Sequence, residues 1–261
     1  MVQGTVDRYK ELERQLYEQF PQARKDAEAL AAGIANPDTA DADAIWEHTW
    51  NKPLYANTRV DTSDAWIRKL KPHMPGAWRQ WGLGDSFLLE RPGKGSKNEA
   101  FKAQNSFTAQ VRKETGIAMY RLFAIQGAAG ALRERRKRSN TPYADLINID
   151  PAEMVPLVQK EMGFGWGCIT VLHFLTDLGL ACKPDLNLMR TLRHLGMWNG
   201  RGTPTCEECI EINRRVRMLL ERLDGSVTPA RLRYLDKILM EISRYGLIGH
   251  DDESAPYCGR P

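Results

Sequence analysis

Residues 150–198 read DPAEMVPLVQKEMGFGWGCITVLHFLTDLGLACKPDLNLMRTLRHLGMW, and the punctuation of this stretch decides the fold. Asp150 followed by Pro151 is a helix start, because an aspartate caps free amides and proline suits the first helical position. Gly163-Phe164-Gly165-Trp166-Gly167 then breaks the helix in a tight turn, and a second helix is predicted from about Cys168. In that helix Cys168, Val171, Leu172, Leu175 and Leu178 fall on one stripe, as expected of a core-facing element, and Gly179 supplies the stop. Asp185 is placed to cap a third helix with Leu188, Leu192 and Leu195 as its buried stripe and Gly196 at its end.

A glycine turn between two helices leaves the first amides of the second helix without intrahelical partners, aligned with the positive end of its dipole. Such a corner is suited to a phosphate, and glycine removes the Cβ that would hold a nucleic-acid backbone away. A dinucleotide-binding loop needs a strand in front of the glycines, and a Walker loop needs a closing Lys followed by Ser or Thr. Neither feature is present here.

The unit of helix, glycine hairpin, helix, loop, aspartate and helix resembles the helix-hairpin-helix superfamily of DNA glycosylases, which includes endonuclease III. Met162-Gly163-Phe164-Gly165 matches the hairpin and Asp185 to Leu195-Gly196 matches the remainder, with Asp185 placed 22 positions after Gly163 as in that family. The resemblance implies an all-α, two-lobed glycosylase-like architecture with Asp185 as the catalytic group. It also implies contacts to DNA from Gly163, Phe164, Gly165, Trp166, Gly167 and Asn187. Gly167, Val171 and Trp198 are the candidates for walls of a base pocket, and Asn187 stands where relatives place a histidine.

Lyase-competent members carry a lysine at the position of Gly167, so no Schiff base can form there and the resemblance implies the monofunctional branch. Cys206-Glu-Glu-Cys209 and Cys258 do not reproduce the iron–sulfur spacing of endonuclease III. Glu207 and Glu208 read instead as the first turn of a helix. No cofactor and no metal are expected, zinc at the Cys206/Cys209 pair being the alternative. The expected partner is double-stranded DNA containing a modified base, bound by a monomer. A non-catalytic helix-hairpin-helix module that only grips the DNA backbone is the competing reading.

Outside this stretch the signals are also helical. Residues 6–32 are rich in helix formers and interrupted only at Pro21, and 99–113, 115–138, 205–222 and 229–246 are further predicted helices. Thr228-Pro229 is a start signal like Asp150-Pro151. The span 36–95 holds Trp46, Trp50, Trp66, Trp78 and Trp81 among frequent Pro and Gly, and Arg91-Pro-Gly-Lys-Gly-Ser-Lys97 reads as a loop. A Trp-rich helical region over 1–98 and a hairpin-containing core over 99–261 is the expected division.

The 261 residues are 42% hydrophobic and 27% charged, an ordinary globular balance that argues against general disorder. Neither a signal peptide nor an apolar run of about 20 residues is visible, so no membrane association and a cytoplasmic location are expected. A net charge of +4 is too modest to identify a nucleic-acid binder. The basic runs Arg133–Arg138 and Arg214–Arg217 are more suggestive, each being readable as a phosphate-facing patch or as a solvated helix face.

Overall fold

A computed structural model describes residues 3–56, 58–81, 106–200 and 202–249. Among these the regular elements are helices, with no strand, which establishes the all-α class. In chain order they are α1 (Gln3–Gln19), α2 (Pro21–Ala32), α3 (Ala42–Glu47), α4 (Lys52–Tyr55), α5 (Val60–Leu70), α6 (Ser106–Thr115) and α7 (Met119–Arg138). Then follow α8 (Pro151–Met162), α9 (Cys168–Asp177), α10 (Leu186–His194), α11 (Cys206–Asp224) and α12 (Pro229–Arg244). Single 3-10 turns lie at Lys71–His73, Ala77–Arg79 and Ala144–Leu146. No helix among the described residues is long and apolar enough to cross a membrane. The predicted loop at 91–97 lies outside the described residues.

The chain forms two compact units, both discontinuous in sequence. One takes its described residues from 3–36, 149–152 and 175–249, the other from 37–81, 106–148 and 153–174. Residues before Asn36 therefore group with the C-terminal helices and not with the Trp-rich segment. The reason lies in the amphipathic faces of α1 and α2. Leu12 and Leu16 of α1 and Ala23 and Ala27 of α2 enter one core with Leu188 and Leu192 of α10, Val216 and Leu219 of α11, and Leu235 and Ile238 of α12. In this first unit α12 packs against both α2 and α10.

Local signals fix the ends of these helices. Pro21 is the first residue of α2, so the interruption at Pro21 separates two helices. Thr205 and Glu208 form a reciprocal capping box at the start of α11, and the Thr228 hydroxyl accepts from the Arg231 amide at the start of α12. Gly179 has a left-handed φ of 69°, and a Cβ there would stand 2.2 Å from the Pro229 carbonyl oxygen. Both constraints require glycine.

The second basic run braces this unit internally. Arg214 pairs with Asp150 at 2.7 Å, Arg215 pairs with Glu211 and donates to the Met197 carbonyl, and Arg217 donates to the carbonyls of Ile149 and Leu180.

In the second unit α7 is buried on nearly every side, its Ala and Gly positions at 124, 127–131 allowing neighbours to approach closely. α3, α4 and the turn at Ala77–Arg79 pack on it. Trp46, Trp50 and Trp81 belong to this core, and the Trp46 indole donates to the Met74 carbonyl at 2.7 Å. The first basic run is divided: Arg136, Lys137 and Arg138 are exposed, whereas Arg133 and Arg135 turn inward. Arg133 donates to the carbonyls of Trp78 and Trp81. Arg135, only 2% exposed, pairs with Glu161 and Asp145 at 2.7 Å each and lies over the Tyr143 ring. Pro156 sits inside α8 on its exposed face.

Candidate functional site

The glycine corner belongs to the second unit. α8 ends where Gly163, at φ 71°, turns into the left-handed region and donates its amide to the Gln159 carbonyl at 2.9 Å. Gly165 is also left-handed, at φ 85°, and the Trp166 amide closes the turn on the Gly163 carbonyl at 3.2 Å. The Gly167 carbonyl accepts from Val171, so Gly167 stands at the N-cap of α9. The amides of Cys168, Ile169 and Thr170 follow as the first of that helix, which cannot bond within it.

Two contacts lock the corner to α7. A Cβ on Gly165 would lie 2.5 Å from the Ala124 Cβ, and the Trp166 indole donates to the Ala124 carbonyl at 2.8 Å. Trp166 is consequently buried, with its ring edge-on to Phe174. Val171 is fully buried behind the corner and Phe164 is half-buried. Gly167, exposed like Gly165, differs from it in that its φ is not left-handed and a Cβ there would meet nothing within 4 Å.

Asp185 belongs to the first unit. Its backbone is extended, with φ −98° and ψ 177°, and its Oδ1 accepts the Leu188 amide at 2.9 Å, making it the N-cap of α10. Asn187 follows in the first turn and its Oδ1 accepts from the Ser243 hydroxyl of α12 at 3.4 Å. Trp198, past the end of α10, is half-buried with the main chain of Gly200 against its ring, so that a Cβ at Gly200 would fall 2.3 Å from it.

A position at a helix N-terminus predicts a lowered pKa for Asp185. The structure reverses that direction. Burial raises the pKa, and this outweighs the Leu188 and Asn187 amides and the charge of Lys183, while the Glu241 carboxylate adds to the rise. A desolvated carboxylate with raised proton affinity is a better acceptor of a proton than an ordinary aspartate, and still carries the charge that stabilises a cation once ionised.

Sequence reasoning missed the surroundings of this aspartate. α12 carries Arg233, Asp236, Lys237 and Glu241, all largely withdrawn from solvent. Asp236 pairs with Arg233 at 2.6 Å, and burial pushes its carboxyl up to about 6, with the Asp185 charge contributing. The Cys182 thiol lies against the same carboxyl, and burial raises it well above its usual value. Lys237 and Arg244 both contact Glu241. One signal was available: Asp236 is in helical register with Leu232 and Leu239, an acid on an apolar stripe.

Cys206 and Cys209 open α11 as its first turn, and the Cys209 thiol is pushed up to about 12, chiefly by burial. Among the described residues no cluster of three His, Cys, Asp or Glu side chains is arranged to hold a metal. Compared with protein-family models, curated proteins and solved structures, the chain matches none of them.

Proposed function

We propose that the protein is a monofunctional DNA glycosylase of the helix-hairpin-helix type, which removes a modified base from double-stranded DNA and leaves an abasic site. The observation that carries this reading is the order of local structures over 151–194. A helix ends in a corner with two left-handed glycines, a second helix starts at an open Gly167, and Asp185 caps the helix after that.

The corner would hold a phosphodiester through main-chain amides, positioning the duplex without reading its sequence. The target base must leave the stack to be reached. As the N-glycosidic bond breaks, its electron pair departs with the base and positive charge grows on the sugar, opposite the Asp185 carboxylate. The oxygen of a water molecule bonds to the sugar carbon, one of its protons passes to Asp185 and is then released to solvent, and the leaving nitrogen takes up one proton from solvent. With glycine at 167 no amine is available for a covalent sugar adduct, so the abasic strand is left intact.

The test uses duplexes carrying alkylated purines, oxidised guanine or bulky modified pyrimidines, with alkali added afterwards to cut at abasic sites. Base release from at least one duplex is expected. Asp185→Asn should lower that rate by about 100-fold or more while DNA binding persists, as for loss of one group that meets transition-state charge. Binding without release from any duplex would instead favour a module that only grips the backbone.

A further inference from the structure

Cys206-Glu207-Glu208-Cys209 opens α11, and the two cysteines of this motif are in different states. Cys206 is disulfide-bonded, whereas Cys209 is a free thiol. A reduced sulfur three positions from an oxidised one is a potential attacker of that disulfide, because thiols and disulfides exchange by displacement at sulfur.

The first turn of the helix brings the pair together. Cys206 is its first residue and Cys209 its fourth, so both lie on one side of the same turn. Helical side chains lean toward the N-terminus of their helix. Cys209 does so, its Sγ lying 4.0 Å from the Pro204 carbonyl oxygen, ahead of the helix. Residues three apart have Cβ atoms about 5–6 Å from one another, and a disulfide needs about 3.5–4.5 Å, so joining the two calls for a closure of about 1–2 Å. The anchors of the turn lie outside the pair: Thr205 caps it from the front, and the Asn213 side-chain amide holds the Cys209 carbonyl at 2.9 Å.

We propose that Cys209 is the resolving thiol of Cys206, and that the two form a thiol–disulfide exchange site in which the Cys206 sulfur passes from its present disulfide to one with Cys209. The Cys209 thiol gives its proton to solvent and its sulfur bonds to the Cys206 sulfur. The disulfide that held Cys206 breaks, its electron pair leaves on the former partner sulfur, and that sulfur takes up a proton. One disulfide replaces another, so neither oxidant nor reductant is consumed. A low-molecular-weight thiol such as glutathione enters at the same place. Its thiolate displaces the partner sulfur from Cys206, and Cys209 then displaces the glutathione, which is returned unchanged.

The two positions differ as such a site requires. Cys206 is half-buried and stands at the positive end of α11, where an incoming thiolate is favoured. Cys209 is enclosed, and burial pushes its thiol up to about 12, with the Glu208 carboxylate adding to the rise. A thiol of that kind is inert toward reagents in solution and attacks only a sulfur held beside it, where proximity replaces concentration. The glycosylase reading assigns no role to either cysteine, so the exchange site stands apart from it.

The test uses the full-length protein, purified without reductant and incubated with a catalytic amount of reduced glutathione in the absence of air. It is then unfolded in acid, where exchange stops, with a maleimide present to label free thiols. Trypsin releases residues 202–214, which contain both cysteines. The Cys206–Cys209 disulfide is this peptide without label and two hydrogens lighter than its dithiol form. The starting disulfide is the same peptide joined to another and labelled at Cys209. Incubation should raise the first at the expense of the second, with one cysteine elsewhere labelled in equal amount. In Cys209→Ser the internal disulfide cannot form, and a glutathione adduct on Cys206 should build up to at least about 10-fold its level in the parent, because no neighbouring thiol displaces it.

A parent in which Cys209 is always labelled, with no light form of the peptide, overturns the proposal. So does a Cys206 recovered as a free thiol before incubation, or an equal glutathione adduct in the parent and in Cys209→Ser. The parent's own map decides the matter if Cys209→Ser does not fold. No DNA is used, so absence of base release would remove the glycosylase reading and leave the exchange site intact.

Discussion

The glycine corner of the second unit and the acid patch of the first solve opposite problems. The corner keeps side chains out of the way: Gly165 lets the turn lie against Ala124, Trp166 turns its ring inward, and the exposed Gly167 leaves open space at the N-cap of α9. Its polarity comes from the main chain. The acid patch is built from side chains delivered by different helices and withdrawn from water, and its properties are set by which charges lie next to which. A corner of the first kind tolerates change wherever space is open, whereas a patch of the second kind responds to every neighbouring charge.

Three substitutions sharpen this contrast. Gly165→Ala should have the largest effect on stability, because the new methyl meets the Ala124 Cβ at 2.5 Å and the backbone is left-handed. Strain and overpacking together should cost about 3 kcal/mol, read from the midpoint of chemical denaturation. A loss below about 1 kcal/mol would show that the corner is not held against α7.

Asp236→Asn should act in a pH-dependent way. The folded-state pKa of Asp236 lies at about 6, above its ordinary 3.8, so the folded protein binds the extra proton between those values. Stability contributed by that proton is complete below the unfolded pKa and is lost as the pH rises through about 6. Relative to the parent, Asp236→Asn should therefore gain on the order of 2 kcal/mol in unfolding free energy between about pH 4 and about pH 8. Comparing the two pH values removes any constant loss from the broken Arg233 pair. A difference that stays flat with pH would mean that the acid is not desolvated.

Gly167→Lys should have the smallest effect. With no left-handed φ and nothing within 4 Å of the new Cβ, stability should change by no more than about 0.5 kcal/mol in the same denaturation assay. A larger loss would show that the space beside α9 is filled.

Much of the corner was legible in the sequence. Three glycines at alternate positions between helical segments specify a tight turn wherever the flanking stripes are buried, and Asp185 before an amphipathic run specifies a cap. The basic runs were less legible. Arg133, Arg135, Arg214 and Arg217 read as a charged surface, yet Arg135 is buried against Glu161 and Asp145 and the others clasp carbonyls or Asp150. An arginine is assigned to solvent or core by what stands opposite it, and those partners are up to 68 positions away. The direction of the Asp185 pKa was missed for a similar reason: the cap is local, while burial is a property of the packed fold.

What the sequence determined alone is whatever short-range chemistry controls: the helical class, where helices start and stop, the glycine corner, and Asp185 as the first group of α10. Tertiary structure decided how 1–36 are assigned between the units, which tryptophans are core, and that burial raises the proton affinity of Asp185 and Asp236. Caps and turns are fixed by residues within four positions of one another, where propensity acts. Desolvation and charge coupling depend on segments distant in the chain that become neighbours only when the helices pack.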